Sequence, residues 1–342
     1  MSDQQAVASR YASKSTRRDL WKAAIKWPMY SVAVMPALLA AGWRLGAGES
    51  VRFDQLLGFL VAAVLLLLWE NLSNDLFDAD TGVDSFTKLH SVVALLGQRR
   101  PVRRAAHLAL ALGLVLMVLL AWRSSSAVLL LVLVSCGLGY LYQGPPFRWG
   151  YQGLGEPLCW LAFGPFATAA ALLVLAPLPA TESLAATESL PATELLAAAG
   201  SGIPWATALS LGSGPALATT LVLFCSHFHQ VSEDAAHGKR SPVVRLGTKR
   251  AAALVPWILS LALALECAPV FQGDWPVTAL LGGLGLPAGA ALIRLLREHH
   301  DQPAMVRGSK FLALRFQALN GLGLSLGLAL GPALGMDVIS LG

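Results

Sequence analysis

The chain has 342 residues, of which 55% are hydrophobic and only 13% are charged, and its mean hydropathy is +0.60. Soluble globular chains carry about 25% charged residues, so this composition excludes an ordinary soluble domain and indicates a polytopic helical membrane protein. The formal net charge of +5 does not indicate nucleic-acid binding, because basic residues of membrane proteins concentrate in cytoplasmic loops.

Residues 1–20 are polar and contain no apolar stretch ahead of a cleavage site, which predicts a flexible cytoplasmic tail and not a secretory signal. Residues 21–335 then carry nine apolar stretches near the roughly 20 residues that a membrane-spanning helix needs. We therefore predict an all-α fold, a single transmembrane domain of about nine helices around a central cavity. The predicted spans are about 25–46, 53–72, 103–122, 126–143, 153–176, 204–229, 250–268, 275–296 and 312–331.

The distribution of basic residues predicts the orientation of these spans. With a cytoplasmic N-terminus, only Arg44, Arg52 and Arg123 of the 25 lysines and arginines fall in outside loops. Because cytoplasmic loops are enriched in Lys and Arg, we expect the N-terminus in the cytoplasm and the C-terminus outside.

A low-complexity insert occupies residues 178–202, between the fifth and sixth predicted spans. The sequence Ala-Thr-Glu-Ser-Leu begins at Ala180 and again at Ala186, and a variant begins at Ala192. Composition of this kind is typical of a loop expansion without chemistry, and the predicted topology places it outside.

An acidic segment follows the second span, from Asn71 to Asp84. If the helix continues through it, Asn71, Asn74, Asp75 and Asp78 share one helical side. Carboxylates crowded in this way repel one another unless cations lie between them. Oxygen ligands at this spacing suit Mg²⁺, which takes one or two carboxylates together with substrate phosphate. The alternative is a solvated acidic loop at a helix end, which does not require asparagines and aspartates on one side.

A second polar cluster follows the sixth span. His227, Gln230 and Asp234 fall on one helical face, with His229 and Glu233 on the neighbouring one. Lys239, Arg240 and Arg245 come directly afterwards, so surface ion pairs are an alternative interpretation. Both clusters lie at the inner end of an even-numbered span, however. Facing one cavity, they could hold two Mg²⁺ while the basic residues neutralise phosphate charge.

The segment between spans four and five is rich in aromatic residues, Gly and Pro, and contains Tyr140, Tyr142 and Glu156. Aromatic residues near span ends commonly form an interfacial belt. The Gly and Pro content also fits a re-entrant or lid-like loop over a cavity, and the sequence does not separate the two interpretations.

Several motifs resemble the UbiA superfamily of intramembrane prenyltransferases. They are Asn74-Asp75-x-x-Asp78 at the end of span two and the second acidic cluster four spans later. Three segments resemble the MenA-like branch of this superfamily. They are Asn-Asp-x-x-Asp-x-x-x-Gly-Val-Asp, Leu-Gly-Glu-Pro-Leu and Gly-Lys-Arg-Ser-Pro-Val-Val-Arg-Leu-Gly. The segments at 90–93 and 227–231 resemble the cyanobacterial and plastid form of that branch. The resemblance covers about residues 20–335 without the insert. Each motif alone is a weak signal, but together the motifs are specific for this family.

The resemblance implies a Mg²⁺-dependent prenyltransferase. The expected reaction transfers a phytyl group from its diphosphate to 1,4-dihydroxy-2-naphthoate with decarboxylation, in phylloquinone and menaquinone biosynthesis. The expected location is a bacterial inner or thylakoid membrane of the cyanobacterial type, in contact with lipid and not with nucleic acid.

The residues expected to act fall into three groups. The catalytic candidates are Asp75, Asp78 and Asp234, and the metal-ligand candidates are Asp75, Asp78, Asp84, Glu233 and Asp234. The substrate-binding candidates are Asn71, Asn74, Lys88, Arg99, Tyr140, Tyr142, Glu156, His227, Gln230, Lys239 and Arg245.

The sequence departs from the superfamily pattern at two positions. Gly82 stands where the pattern has Asp, and Gln230 replaces the first Asp of the second motif. The second metal is therefore expected to be bound more weakly or by different atoms. Both departures fit the MenA-like branch.

The alternatives are a UbiA-type enzyme with a homogentisate or chlorophyllide acceptor, and a membrane transporter. A transporter places its acidic residues at mid-span, whereas these clusters lie at inner span ends. The Asp-Gly-x-x-Ala-Arg spacing of phospholipid-forming alcohol phosphotransferases is absent from the sequence.

Overall fold

The computed structural model describes residues 29–81, 99–176 and 202–335. The predicted tail, Asp84, Lys88 and nearly all of the insert lie outside these residues. All regular secondary structure within the described ranges is helical.

The described ranges contain eleven α-helices. They are α1 (Tyr30–Gly46), α2 (Phe53–Thr81), α3 (Arg99–Trp122), α4 (Ser126–Gln143), α5 (Gly155–Val174), α6 (Trp205–Ser226), α7 (Val231–Ala236), α8 (Pro242–Leu246), α9 (Thr248–Gln272), α10 (Leu286–His299) and α11 (Ser309–Leu330). The 3₁₀ helix Val277–Gly285 leads directly into α10.

Within the described ranges, eight helical segments are long and apolar enough to cross a membrane. The described part of α1, with 17 residues, occupies the position of the first predicted span. The all-helical polytopic fold is thus confirmed. Large apolar side chains such as Phe53, Trp122 and Trp257 are at least 74% exposed on its outer surface, as expected of a surface that faces lipid.

Helix α6 is the centre of the bundle. It packs against α5, α9 and α11, and its central residues are almost all buried. Close approach to α5 depends on paired small residues, since a Cβ at Gly212 would lie 2.6 Å from Thr168 Oγ1, and one at Gly164 would lie 2.6 Å from Ala216 Cβ. Small residues let transmembrane backbones approach in this way. Helix α5 also contains a π-helical turn at Ala162–Phe166, where Pro165 interrupts the backbone hydrogen bonds.

Two helix ends differ from the predicted spans in a way that shapes the site. Helix α2 continues to Thr81 and so carries the first acidic segment on its last turns. Helix α6 stops at Ser226 and is followed by the 3₁₀ turn Phe228–Gln230 and the short α7. The assumption of one continuous helical face for the second cluster was therefore wrong.

Candidate active site

A cavity of about 640 Å³ opens between α2, α4, α5, α6 and the start of α11. Its wall is polar where α2 and α6 end, and apolar one to two turns deeper, where Leu67, Leu158 and Val222 line it. The cavity therefore joins a polar end to an apolar end, as a site for an amphipathic molecule requires.

The first cluster forms one wall of the polar end. Asn71, Asn74, Asp75 and Asp78 all line the cavity, as the helical spacing predicts. Asp75 is 3% exposed and Asp78 is 2% exposed. Two buried carboxylates and two amides facing one space form an oxygen-rich surface that favours a cation.

The second cluster is built around a buried carboxylate. Asp234 is fully buried, with Oδ2 3.1 Å from His227 Nδ1 and Oδ1 3.6 Å from Lys239 Nζ. The other ring nitrogen of His227 lies 3.7 Å from Glu156 Oε1. His227, Gln230 and Lys239 line the cavity, whereas Glu156, Glu233 and Asp234 are not part of its wall. The acids of this cluster thus lie behind basic and amide groups that face the space.

The buried Asp234–Lys239 pair yields a stability prediction. Lys239→Met leaves the buried carboxylate without this cation, which should destabilise the protein by about 3 kcal/mol or more. Thermal unfolding of the purified protein measures this change. The control, Lys249→Met at an exposed position, should change stability by less than about 0.5 kcal/mol, and an unchanged unfolding temperature for Lys239→Met would contradict the role of the pair.

The loop between α4 and α5 connects the two clusters. Its Tyr151 hydroxyl donates to Asp78 Oδ1 at 3.0 Å and lies 2.7 Å from Thr81 Oγ1. Lys239 Nζ lies 5.6 Å from the centre of the same ring, and the Arg240 N–H donates to the Tyr151 carbonyl at 2.7 Å. Through Tyr151, the loop thus contacts both Asp78 of the first cluster and the basic residues that follow the second cluster.

Removing the Tyr151 hydroxyl should leave the Asp78 carboxylate without this hydrogen bond and therefore less firmly positioned. If the substrate is a prenyl diphosphate, as the motifs lead us to expect, Tyr151→Phe should raise its KM about three- to tenfold, the scale of one hydrogen bond. Steady-state kinetics on purified protein checks this. Tyr140→Phe is the matched control, because the Tyr140 hydroxyl donates to the Pro145 carbonyl and its ring is not part of the cavity wall. Equal effects of both substitutions would contradict a specific role for Tyr151.

The remaining candidates occupy different places. Tyr142 lines the cavity. Arg99 pairs with Asp80 and borders a separate pocket of about 140 Å³ between α2 and α3. Arg245 is exposed and donates to the backbone carbonyls of Gln152 and Arg240, so its side chain fastens the α4–α5 loop to the second cluster.

Sequence reasoning missed several residues of the cavity wall. They are Glu70, Gln143, Arg307 and Lys310. Arg307 and Lys310 had been counted only as cytoplasmic charges, and no local motif marks them. Glu70 precedes Asn71 and falls within the predicted span 53–72, where its charge was a usable signal.

The donor set at the polar end fits Mg²⁺. No three His, Cys, Asp or Glu side chains in the described ranges come close enough to hold a metal by themselves. Mg²⁺ requires only one or two carboxylates when water and phosphate oxygens complete its shell. Asp75 and Asp78 supply two carboxylates on one wall, so these residues fit a metal bound together with a diphosphate.

Two naphthoquinone phytyltransferases are similar to nearly the whole chain. The 2-carboxy-1,4-naphthoquinone phytyltransferase of Synechocystis sp. is 38% identical over 316 residues, 91% of this chain and 93% of that protein. The chloroplastic enzyme of the same name from Arabidopsis thaliana is 39% identical, covering 90% of this chain and 76% of that protein. The 1,4-dihydroxy-2-naphthoate octaprenyltransferase of Mycobacterium tuberculosis is 26% identical and covers 73% of this chain and 77% of that protein.

Solved structures share the fold at low sequence identity. A UbiA homolog from Aeropyrum pernix K1 has a TM-score of 0.57 at 17% identity, covering 88% of this chain and 97% of the other. A UbiA homolog from Archaeoglobus fulgidus, bound to GPP and Mg²⁺, has a TM-score of 0.52 at 12% identity, and the match covers 90% of this chain and 99% of the other. The UbiA prenyltransferase family itself matches residues 33–315. This chain, with its helical bundle and its aspartate-lined cavity, therefore belongs to the UbiA prenyltransferase family.

Proposed function

We propose that the protein transfers a phytyl group from phytyl diphosphate to 1,4-dihydroxy-2-naphthoate, with loss of CO₂, in phylloquinone or menaquinone biosynthesis. The observation that carries the proposal is the 38–39% identity to two 2-carboxy-1,4-naphthoquinone phytyltransferases over about nine-tenths of the chain. The geometry agrees, because the cavity has a polar end for a diphosphate and an apolar end for a hydrocarbon chain.

The diphosphate would lie between the two clusters. Asp75 and Asp78 would hold Mg²⁺ on one side, and the metal when bound would supply positive charge that stabilises the departing diphosphate. Lys239, Arg307 and Lys310 line the same cavity and would neutralise the remaining phosphate charge. Positive groups placed where negative charge develops favour breakage of the bond between carbon and oxygen.

The deeper wall would protect the allylic group. Leu67, Leu158, Phe163 and Val222 line this part of the cavity and would keep water away from the positive charge on the phytyl carbon. The electron-rich naphthalene ring would then attack that carbon. No side-chain nucleophile is needed for this chemistry.

The proposal also includes the extent of the catalytic domain and the membrane in which the protein resides. We propose that residues 21–335 act as one catalytic domain, and that the protein resides in a cyanobacterial-type inner or thylakoid membrane with the polar end facing the cytoplasm. Family membership and the position of the clusters at helix ends do not favour a transporter. The names of the relatives do not favour homogentisate or chlorophyllide as the acceptor.

Acceptor choice tests the proposal. Membranes containing the protein should transfer label from radiolabelled phytyl diphosphate to 1,4-dihydroxy-2-naphthoate in preference to homogentisate and chlorophyllide. Membranes containing the Asp75→Ala variant serve as the control for host enzymes. Preferential labelling of homogentisate or chlorophyllide would contradict the proposed acceptor.

A further inference from the structure

Glu70 is a carboxylate of the cavity wall to which the proposed binding of Mg²⁺ and diphosphate assigns no role. It lies on α2 directly before Asn71 and lines the cavity together with the four residues of the first cluster. An α-helix rises about 1.5 Å per residue. Glu70 is therefore about 6 Å deeper along α2 than Asn74 and about 12 Å deeper than Asp78. This places it where the polar wall meets the apolar wall.

The carboxylate of Glu70 has no partner among the residues that the structure describes. Its side chain is half-buried and makes no hydrogen bond or ion pair within the described ranges. Leu67 lies one turn deeper on the same helix, and Leu138 and Leu158 line the cavity from α4 and α5. A carboxylate in apolar surroundings at membrane depth is costly and indicates a functional site.

Helix α4 leaves room for this carboxylate. Gly139 faces it, and a Cβ at that position would lie 3.3 Å from both the carboxyl carbon and Oε2 of Glu70. That contact is tighter than ordinary van der Waals distance, so a larger residue would push the carboxylate away from its present position. The absence of a side chain at Gly139 thus leaves the Glu70 carboxylate in its place in the cavity wall.

We propose that Glu70 binds the aromatic acceptor by accepting a hydrogen bond from a ring hydroxyl. A diphosphate is not a direct ligand for a carboxylate, because it offers no donor and repels the carboxylate when no cation lies between them, and a hydrocarbon chain offers no donor either. A hydroxylated ring supplies the donor that the carboxylate lacks, and this inference rests on the proposed function only for the identity of that ring. The hydrogen bond gives the ring oxygen partial phenolate character, so this oxygen donates more electron density into the ring and the ring carbons become better nucleophiles.

The depth of Glu70 suits this role. The carbon that leaves the diphosphate is one bond beyond the phosphate oxygens, on the side that enters the apolar part of the cavity. A ring held by Glu70, about 6 Å deeper than Asn74, lies beside that carbon and not beside the phosphates.

The test compares Glu70→Gln with Glu266→Gln in the purified full-length protein. Glu266 is also a buried carboxylate in a membrane helix, but its Oε2 accepts from Asn320 at 2.7 Å and it does not line the cavity. Gln keeps a neutral acceptor oxygen and removes only the charge. With dihydroxynaphthoate as the varied substrate, Glu70→Gln should therefore lower kcat/KM about tenfold, the difference between a hydrogen bond to a charged acceptor and one to a neutral acceptor. The KM for phytyl diphosphate should stay within about twofold, and Glu266→Gln should change neither value by more than about threefold.

The outcomes separate the inference from the proposed function. Acceptor kinetics of Glu70→Gln equal to wild type would overturn the role of Glu70. Equal losses toward donor and acceptor would also overturn it, since they would indicate a structural effect. Failure of the wild-type protein to use dihydroxynaphthoate would contradict the proposed function instead. In that case the same two variants, tested with the acceptor that is used, decide the role of Glu70.

Discussion

Asp75→Ala and Asp78→Ala should each reduce phytyl transfer by about 100-fold or more. Each substitution removes one of the two carboxylates that face the diphosphate end of the cavity. Loss of one preorganised electrostatic contact to a transition state typically costs 10²- to 10³-fold in rate. The measurement is kcat/KM for phytyl diphosphate in purified protein, with thermal unfolding to show that the variants fold.

Asp80→Ala is the matched control for both substitutions. Asp80 lies on the same helix, but it pairs with Arg99, is largely exposed and does not line the cavity. Because exposed ion pairs contribute little, its removal should leave activity within about twofold. Near-normal turnover in Asp75→Ala would show that the first cluster is not the site.

Removal of divalent cations should abolish turnover, and addition of Mg²⁺ should restore it. The first cluster is anionic, and without a cation it would repel a diphosphate. Among the described residues, the lysines and arginines that line the cavity are Lys239, Arg307 and Lys310, and in the proposed arrangement they lie beside phosphate. Activity measured in EDTA, and again after excess Mg²⁺ is added, tests the expectation. Undiminished turnover in EDTA would contradict metal-assisted binding.

The helical order and the first cluster could be predicted from local sequence because both depend on spacing alone. Apolar stretches of about 20 residues mark spans, and i, i+3, i+4, i+7 spacing places Asn71, Asn74, Asp75 and Asp78 on one side of a helix. The end of α2 was harder to predict. Asn, Ser and Asp are common in loops, yet here packing of the last turns carries the helix to Thr81.

The second cluster could be identified by its residue types but not by its geometry. The helix break after Ser226 turns Asp234 back toward His227, and a continuous helical face does not describe that contact. Arg307 and Lys310 also line the cavity, although they lie about 70 residues after the second cluster in the chain. Such long-range convergence depends on tertiary packing, which no local pattern encodes.

The most direct test of the central claim is the stoichiometry of the reaction catalysed by the purified protein in lipid nanodiscs. With phytyl diphosphate, 1,4-dihydroxy-2-naphthoate and Mg²⁺, mass spectrometry of the quinol should be combined with assays of CO₂ and diphosphate. We expect one phytylated naphthoquinol without its carboxyl group for each CO₂ and each diphosphate released. Diphosphate release without a phytylated ring, or phytylation that retains the carboxyl group, would contradict the claim.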